Sequence, residues 1–169
     1  MAELNQERAD LLETLSGHRH FLRFTTRDIT DEQARRRTTV SALCLGGLIK
    51  HVSAVERQWA RFIVEGPAVM AMPVDADPAD WDRGFTPGES ETLAGLLAEY
   101  EQVASRTEEL VRTLPSLDAS QPLPAAPWFP PNARWSARRV LLHIIAETSQ
   151  HAGHADIIRE ALDGAKTMG

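Results

Sequence analysis

Apolar residues recur along this chain at alternating spacings of three and four, the period of helices that each bury one stripe. Four long stretches carry the pattern. The first covers about Leu4 to Thr25, with Leu4, Leu11, Leu15, His18 and Leu22 along one side. The second covers about Ser41 to Glu65 and is stopped by Gly66-Pro67, with an inward seam of Cys44, Leu48, His51, Val55, Gln58 or Trp59, and Phe62. The third runs from about Glu89 to Thr113 and halts before Pro115. The fourth starts after Ser136, a good N-cap, and continues to about Leu162. Between the first two, Asp28 to Gln33 predicts a capped turn or a short extra helix. No strand-like alternation of useful length and no short repeat is present. The expected architecture is all-α: one domain over residues 1–169, a four-helix bundle with long crossover loops. Those loops, Pro67 to Gly88 with Trp81 and Phe85, and Pro115 to Pro131 with Trp128 and Phe129, are expected to fold over one end of the bundle.

The last helix breaks its own pattern. Its seam reads Val140, Ile144, Glu147, His151, His154, Ile158, with three polar groups in the middle of an apolar stripe. A buried polar group without a partner costs roughly 1–3 kcal/mol, so something has to satisfy them. Glu147 and His151 are four apart and share a helical face, so both can grip one ion. His51, on the seam of the second helix, is the natural third ligand. Carboxylate and neutral imidazole suit Zn, Ni, Fe or Co, and three protein ligands leave positions open for chemistry. A core histidine is more often hydrogen-bonded than metal-bound, but two helices here place imidazoles on their seams independently. His154 either joins this set or orients substrate or water beside it, which makes it the candidate catalytic residue. His143 points off the seam and reads as structural or supporting; His18 reads as a core histidine that could line the same cavity, and His20 as exposed. Neither a His-Glu-x-x-His helix, a Gly-x-Ser-x-Gly elbow, a P-loop nor a paired Glu-x-x-His di-metal pattern occurs.

Bulk properties narrow the classes further. At 169 residues, 43% hydrophobic and 25% charged, the chain is globular in composition. A net charge of −6 argues against non-specific binding to nucleic acid or to an anionic membrane. The arginines between Arg8 and Arg37 are interspersed with acids and read as solvated surface. The longest apolar run, Ala42 to Ile49, is too short to span a bilayer, and the first residues lack a signal-peptide pattern. The single cysteine, Cys44, reads as an inert buried thiol in a reducing, cytoplasmic setting.

The segment Leu45-Gly46-Gly47-Leu48-Ile49-Lys50-His51-Val52-Ser53-Ala54-Val55-Glu56 resembles the second helix of the DinB-like (DinB/YfiT-type) superfamily. The segment His143 to Glu160, with its His151-Ala152-Gly153-His154-Ala155-Asp156 string, resembles that superfamily's last helix. The likeness extends over essentially the whole chain and is strongest to an actinobacterial branch that includes proteins labelled mini-circle. It implies a four-helix bundle with one divalent metal near one end. Most members use three histidines, the last two as His-x3-His; here Glu147 stands first in that pair, as in the related mycothiol-dependent maleylpyruvate isomerase. Carried over by position, the ligands are His51, Glu147 and His151, while His154 falls where many relatives have Gln. The resemblance further implies a metal-dependent transferase or isomerase acting with a small-molecule thiol, mycothiol first, on an electrophilic substrate. Zinc is the leading metal, with nickel or iron as alternatives, and a homodimer is a common form among relatives. A metal-dependent hydrolase and a non-catalytic metal-binding or stress-response bundle are the competing readings.

Overall fold

A computed structural model describes residues 5–70 and 83–167. Helices α1 (Gln6–Phe24), α3 (Leu45–Glu65), α4 (Leu93–Thr113) and α5 (Ala137–Asp163) form the bundle, and α2 (Asp31–Arg35) is the short extra helix. Helix ends follow side-chain chemistry. Asn5, Thr92 and Ser136 each accept a hydrogen bond from a backbone N–H of the first turn of α1, α4 and α5, and Thr30 forms a reciprocal capping box with Gln33. Glycines at positive φ end α3 and α5: Gly66 at 79° and Gly164 at 81°. Helix α5 packs on α1 and α3, α3 packs on α4, and α4 closes the ring more loosely on α1. No described helix is long and apolar enough to cross a membrane.

Two differences from the sequence reading matter. First, Ser120–Pro122 (β1) and Arg134–Ser136 (β2) form a small antiparallel ribbon, with Gln121 opposite Trp135. Three-residue strands are too short to display a period, so the pattern could not reveal them. The ribbon staples the Pro-rich crossover: Ala137 and Arg138 donate backbone hydrogen bonds to Ala119 and Leu117, and Gln121 donates to the Ile63 carbonyl. Second, the buried stripe of α3 is Leu45, Leu48, Ile49, Val52, Glu56, Trp59, Phe62 and Ile63. Leu48, Trp59 and Phe62 of the predicted seam are buried, but in the middle of the helix the stripe runs through Val52 and Glu56, one position round from His51 and Val55. His51, Val55 and Gln58 therefore sit at the edge of the stripe. Cys44 is buried as predicted, but it precedes α3 as the N-cap residue and does not lie on the helix. Burial raises its thiol pKa, which keeps it inert.

The core divides into two apolar clusters, one built around Leu15, Phe62, Val111, Val140 and Ile144 and the other around Leu22, Leu48, Val52, Tyr100 and Ala155. Between them each helix contributes a buried polar residue: Arg19, Glu56, Thr107 and Thr148. Arg19 donates Nε to Glu56 Oε2 at 3.1 Å and Nη2 to Oε1, and reaches Glu108 at 3.2 Å. This corrects the reading of the N-terminal arginines as surface, because Arg19 is only 5% exposed. Arg159, also buried, donates to the carbonyls of Thr25 and Arg27 at the end of α1. Leu4 and Trp81 lie outside the described residues.

Candidate metal centre

His51 reaches the site from the edge of α3, and Glu147 and His151 reach it from successive turns of α5. One ligand atom from each lies within 4.8 Å of the other two. Glu147 Oε2 is 3.6 Å from His151 Nε2 and 4.0 Å from His51 Nε2. Ligand atoms about 2.1 Å from one ion stand about 3.4 Å apart across a tetrahedral angle, so small rotations suffice to close the set. The donor types also fit: two imidazoles and a carboxylate are the usual company of zinc and its neighbours. Among the described residues this is the cluster of three able to share an ion.

Packing fixes each donor. The His51 ring stacks on Phe85, centroids 3.8 Å apart and planes 20° from parallel. Phe85 belongs to the crossover between α3 and α4, and its backbone comes very close to α3 at Gly47. A Cβ there would sit 1.8 Å from the Phe85 carbonyl oxygen, so only glycine fits one turn before His51. The other oxygen of Glu147, Oε1, faces His143, whose Nε2 lies 3.7 Å away. His143 in turn meets Trp59 and Trp135 edge-on, at 4.9 and 5.2 Å. His154 approaches His151 at the ring nitrogen that does not face Glu147, Nδ1 to Nδ1 at 3.4 Å. It is absent from the described lining of the cleft, as is His18, which is half-buried on α1.

The site opens on a cleft of about 1040 Å³ between α3, α5 and both crossovers. Its lining includes His51, His143, Glu147 and His151 together with Trp59, Trp128, Phe129 and Trp135. Sequence reasoning assigned His143 only a structural or supporting part and the tryptophans none, because nothing in the spacing shows that the second crossover brings Trp128 and Phe129 to the cleft beside them. Placement explains how a site can be held by the core and still open: His51 and Glu147 stand at the edges of their helices' buried stripes, His151 is buried on the stripe of α5, and all three line the cleft.

Electrostatics favours ligand-ready forms. Burial, reinforced by His151 and opposed by Glu147, pushes the His51 imidazole down to about 4. Glu147 is lowered by its contact with His151, against the effect of burial. Near neutral pH His51 is therefore an unprotonated donor and Glu147 an ionised one. The same shift predicts a stability slope in the metal-free protein. The folded state resists protonating His51, while the unfolded chain takes up that proton below its usual 6.5. Stability is thus expected to fall by about 3 kcal/mol as pH drops from 6.5 to 4. Urea unfolding across that window checks it; a His51→Ala chain with an equally steep slope would assign the effect elsewhere.

A family model described as MST: Mycothiol-S-transferase matches residues 10–164. No curated protein matches the chain. Since the match spans nearly the whole sequence, the chain belongs to this DinB-like family.

Proposed function

We propose that this member of the mycothiol-S-transferase family is a metal-dependent enzyme that transfers a mycothiol-like thiol to an electrophilic small molecule. One divalent ion, zinc before nickel or iron, would be held by His51, Glu147 and His151. The observation that carries the reading is the convergence of these three donors on the wall of an open cleft large enough for reactants. A divalent ion bound there with open positions lowers the pKa of a thiol beside it and so supplies a nucleophile at neutral pH. The protein's own work is positional. His143 orients the Glu147 carboxylate, Phe85 fixes the plane of His51, and His154 backs His151 through Nδ1, a positioning role instead of contact with substrate. In the transfer the thiol loses its proton to solvent, sulfur bonds to the electrophilic carbon, and the leaving group departs with the bonding pair. No protein thiol takes part, in keeping with buried Cys44. The setting we infer is cytoplasmic, where small thiols stay reduced.

The test is spectroscopic. Protein loaded with cobalt(II) is expected to show a new sulfur-to-metal absorption band in the near ultraviolet on addition of mycothiol. If no cellular thiol alters the spectrum while the ion keeps exchangeable water, the ion activates water and hydrolysis replaces thiol transfer. A coordinatively closed spectrum would instead leave a structural metal in a non-catalytic bundle.

A further inference from the structure

The cleft is chemically divided. Its ionisable groups gather at the metal centre, while the opposite end is built from Trp59, Trp128, Phe129, Trp135 and the Pro124–Pro127 stretch. Among the described lining residues there is no lysine or arginine, and Glu147 is the sole carboxylate. The Arg139 guanidinium lies 4.5 Å over the Trp135 ring, but it is exposed and outside that lining, so an ion lodged at the far end meets no described lining group of opposite charge to offset its lost hydration. A volume of about 1040 Å³ lies just above the roughly 300–1,000 Å³ usual for a single small ligand, so two reactants can share it. The aromatic wall is ordered from within. Trp59 and Trp135 stack at 4.8 Å and 18°, and Phe129 meets Trp135 edge-on at 5.8 Å. Trp128, at the mouth, is 69% exposed although it lines the cleft, and it touches Phe129 at 6.1 Å. A large aromatic ring left that open offers a free face for stacking. His143 connects the two ends, with its ring edge against Trp59 and Trp135 and its Nε2 toward Glu147.

We propose that this aromatic end is the docking site for the second substrate, an uncharged, planar aromatic electrophile that stacks on Trp128 with its reactive carbon toward the metal centre. The proposal rests on the thiol-transfer reading for what becomes of the bound molecule, but the binding itself needs neither metal nor thiol.

Calorimetric titration of the full chain with 1,3-dinitrobenzene, a neutral and unreactive aromatic, tests it. The compound is expected to bind, and 3,5-dinitrobenzoate, its anionic counterpart, to bind at least about tenfold more weakly. Trp128→Ala is expected to weaken the neutral probe by about tenfold and Trp128→Phe by only about threefold. Because Trp128 is exposed, both variants keep the bundle's core. Absence of binding, equal affinity for the two probes, or an unchanged affinity in Trp128→Ala overturns the docking site. A His51→Ala/His151→Ala chain separates this from the functional reading. Retained aromatic binding with lost metal supports both. A metal-loaded wild type that ignores the probe removes the docking site alone. Probe binding by a wild type that takes up no metal keeps the docking site and removes the metal-dependent mechanism.

Discussion

The His51→Ala/His151→Ala double variant is expected to retain less than about a tenth of the wild-type metal and to lose thiol transfer altogether. Two of the three donors disappear, and Glu147 alone offers an ion no more than any partly exposed surface carboxylate does. The fold is expected to persist, because both imidazoles occupy the cleft side of their helices. The apolar groups behind them, Leu48, Ile49 and Val52 on α3 and Ala152 and Ala155 on α5, stay in place. Elemental analysis of untagged protein, with far-ultraviolet circular dichroism as the folding control, decides the matter. Full metal retention in a folded double variant would remove these residues from the centre.

Glu56→Ala is expected to be the most damaging single change away from the cleft, costing about 3 kcal/mol and lowering Tm by roughly 10 °C. Glu56 is 0% exposed and carries two hydrogen bonds from Arg19, which is itself buried. Removing the carboxylate leaves a guanidinium in a low-dielectric layer between two apolar clusters, with only Glu108, at 3.2 Å and 40% exposed, to offset it. That residual partner places the effect at the lower end of the range for a broken buried pair. Replacing both residues together, Arg19→Met with Glu56→Leu, is expected to be much milder, since no unpaired charge remains. Thermal unfolding of the two variants checks the contrast; equal losses would show that the layer acts through packing and not through charge. Metal content should not change in either variant, which separates this layer from the centre.

The bundle and the candidate donors could be read from the sequence because both express themselves in spacing. A three-four repeat survives any environment; His151 does interrupt the buried stripe of α5, whereas Glu147, predicted on that stripe, lies at its edge and Thr148 is buried at that turn instead. The exact face of α3 could not be read in the same way. Residues 51, 55 and 58 and residues 52, 56 and 59 satisfy the same spacing, one step of rotation apart, and only tertiary packing selects the second set. Arg19 and Glu56 were hidden for a related reason. Each is a charged residue on its own helix, and the buried layer exists only once α1 meets α3 through the ring of helices. The aromatic wall depended on the crossovers, whose positions follow from backbone pairing at the ribbon and from the close approach at Gly47, neither of which leaves a periodic trace.

The ribbon of β1 and β2 pins both ends of the span 123–133, which presents Trp128 and Phe129, to the start of α5 and to the end of α3. A span anchored at its base can change its side chains, or even its length, without transmitting strain to the helices that carry His51, Glu147 and His151. On the proposed function, selection for a new acceptor molecule and selection for a stable scaffold would therefore act on separable stretches of one gene. Diversification among relatives should concentrate in this cassette, while positions 51, 147 and 151 keep side chains able to bind a metal.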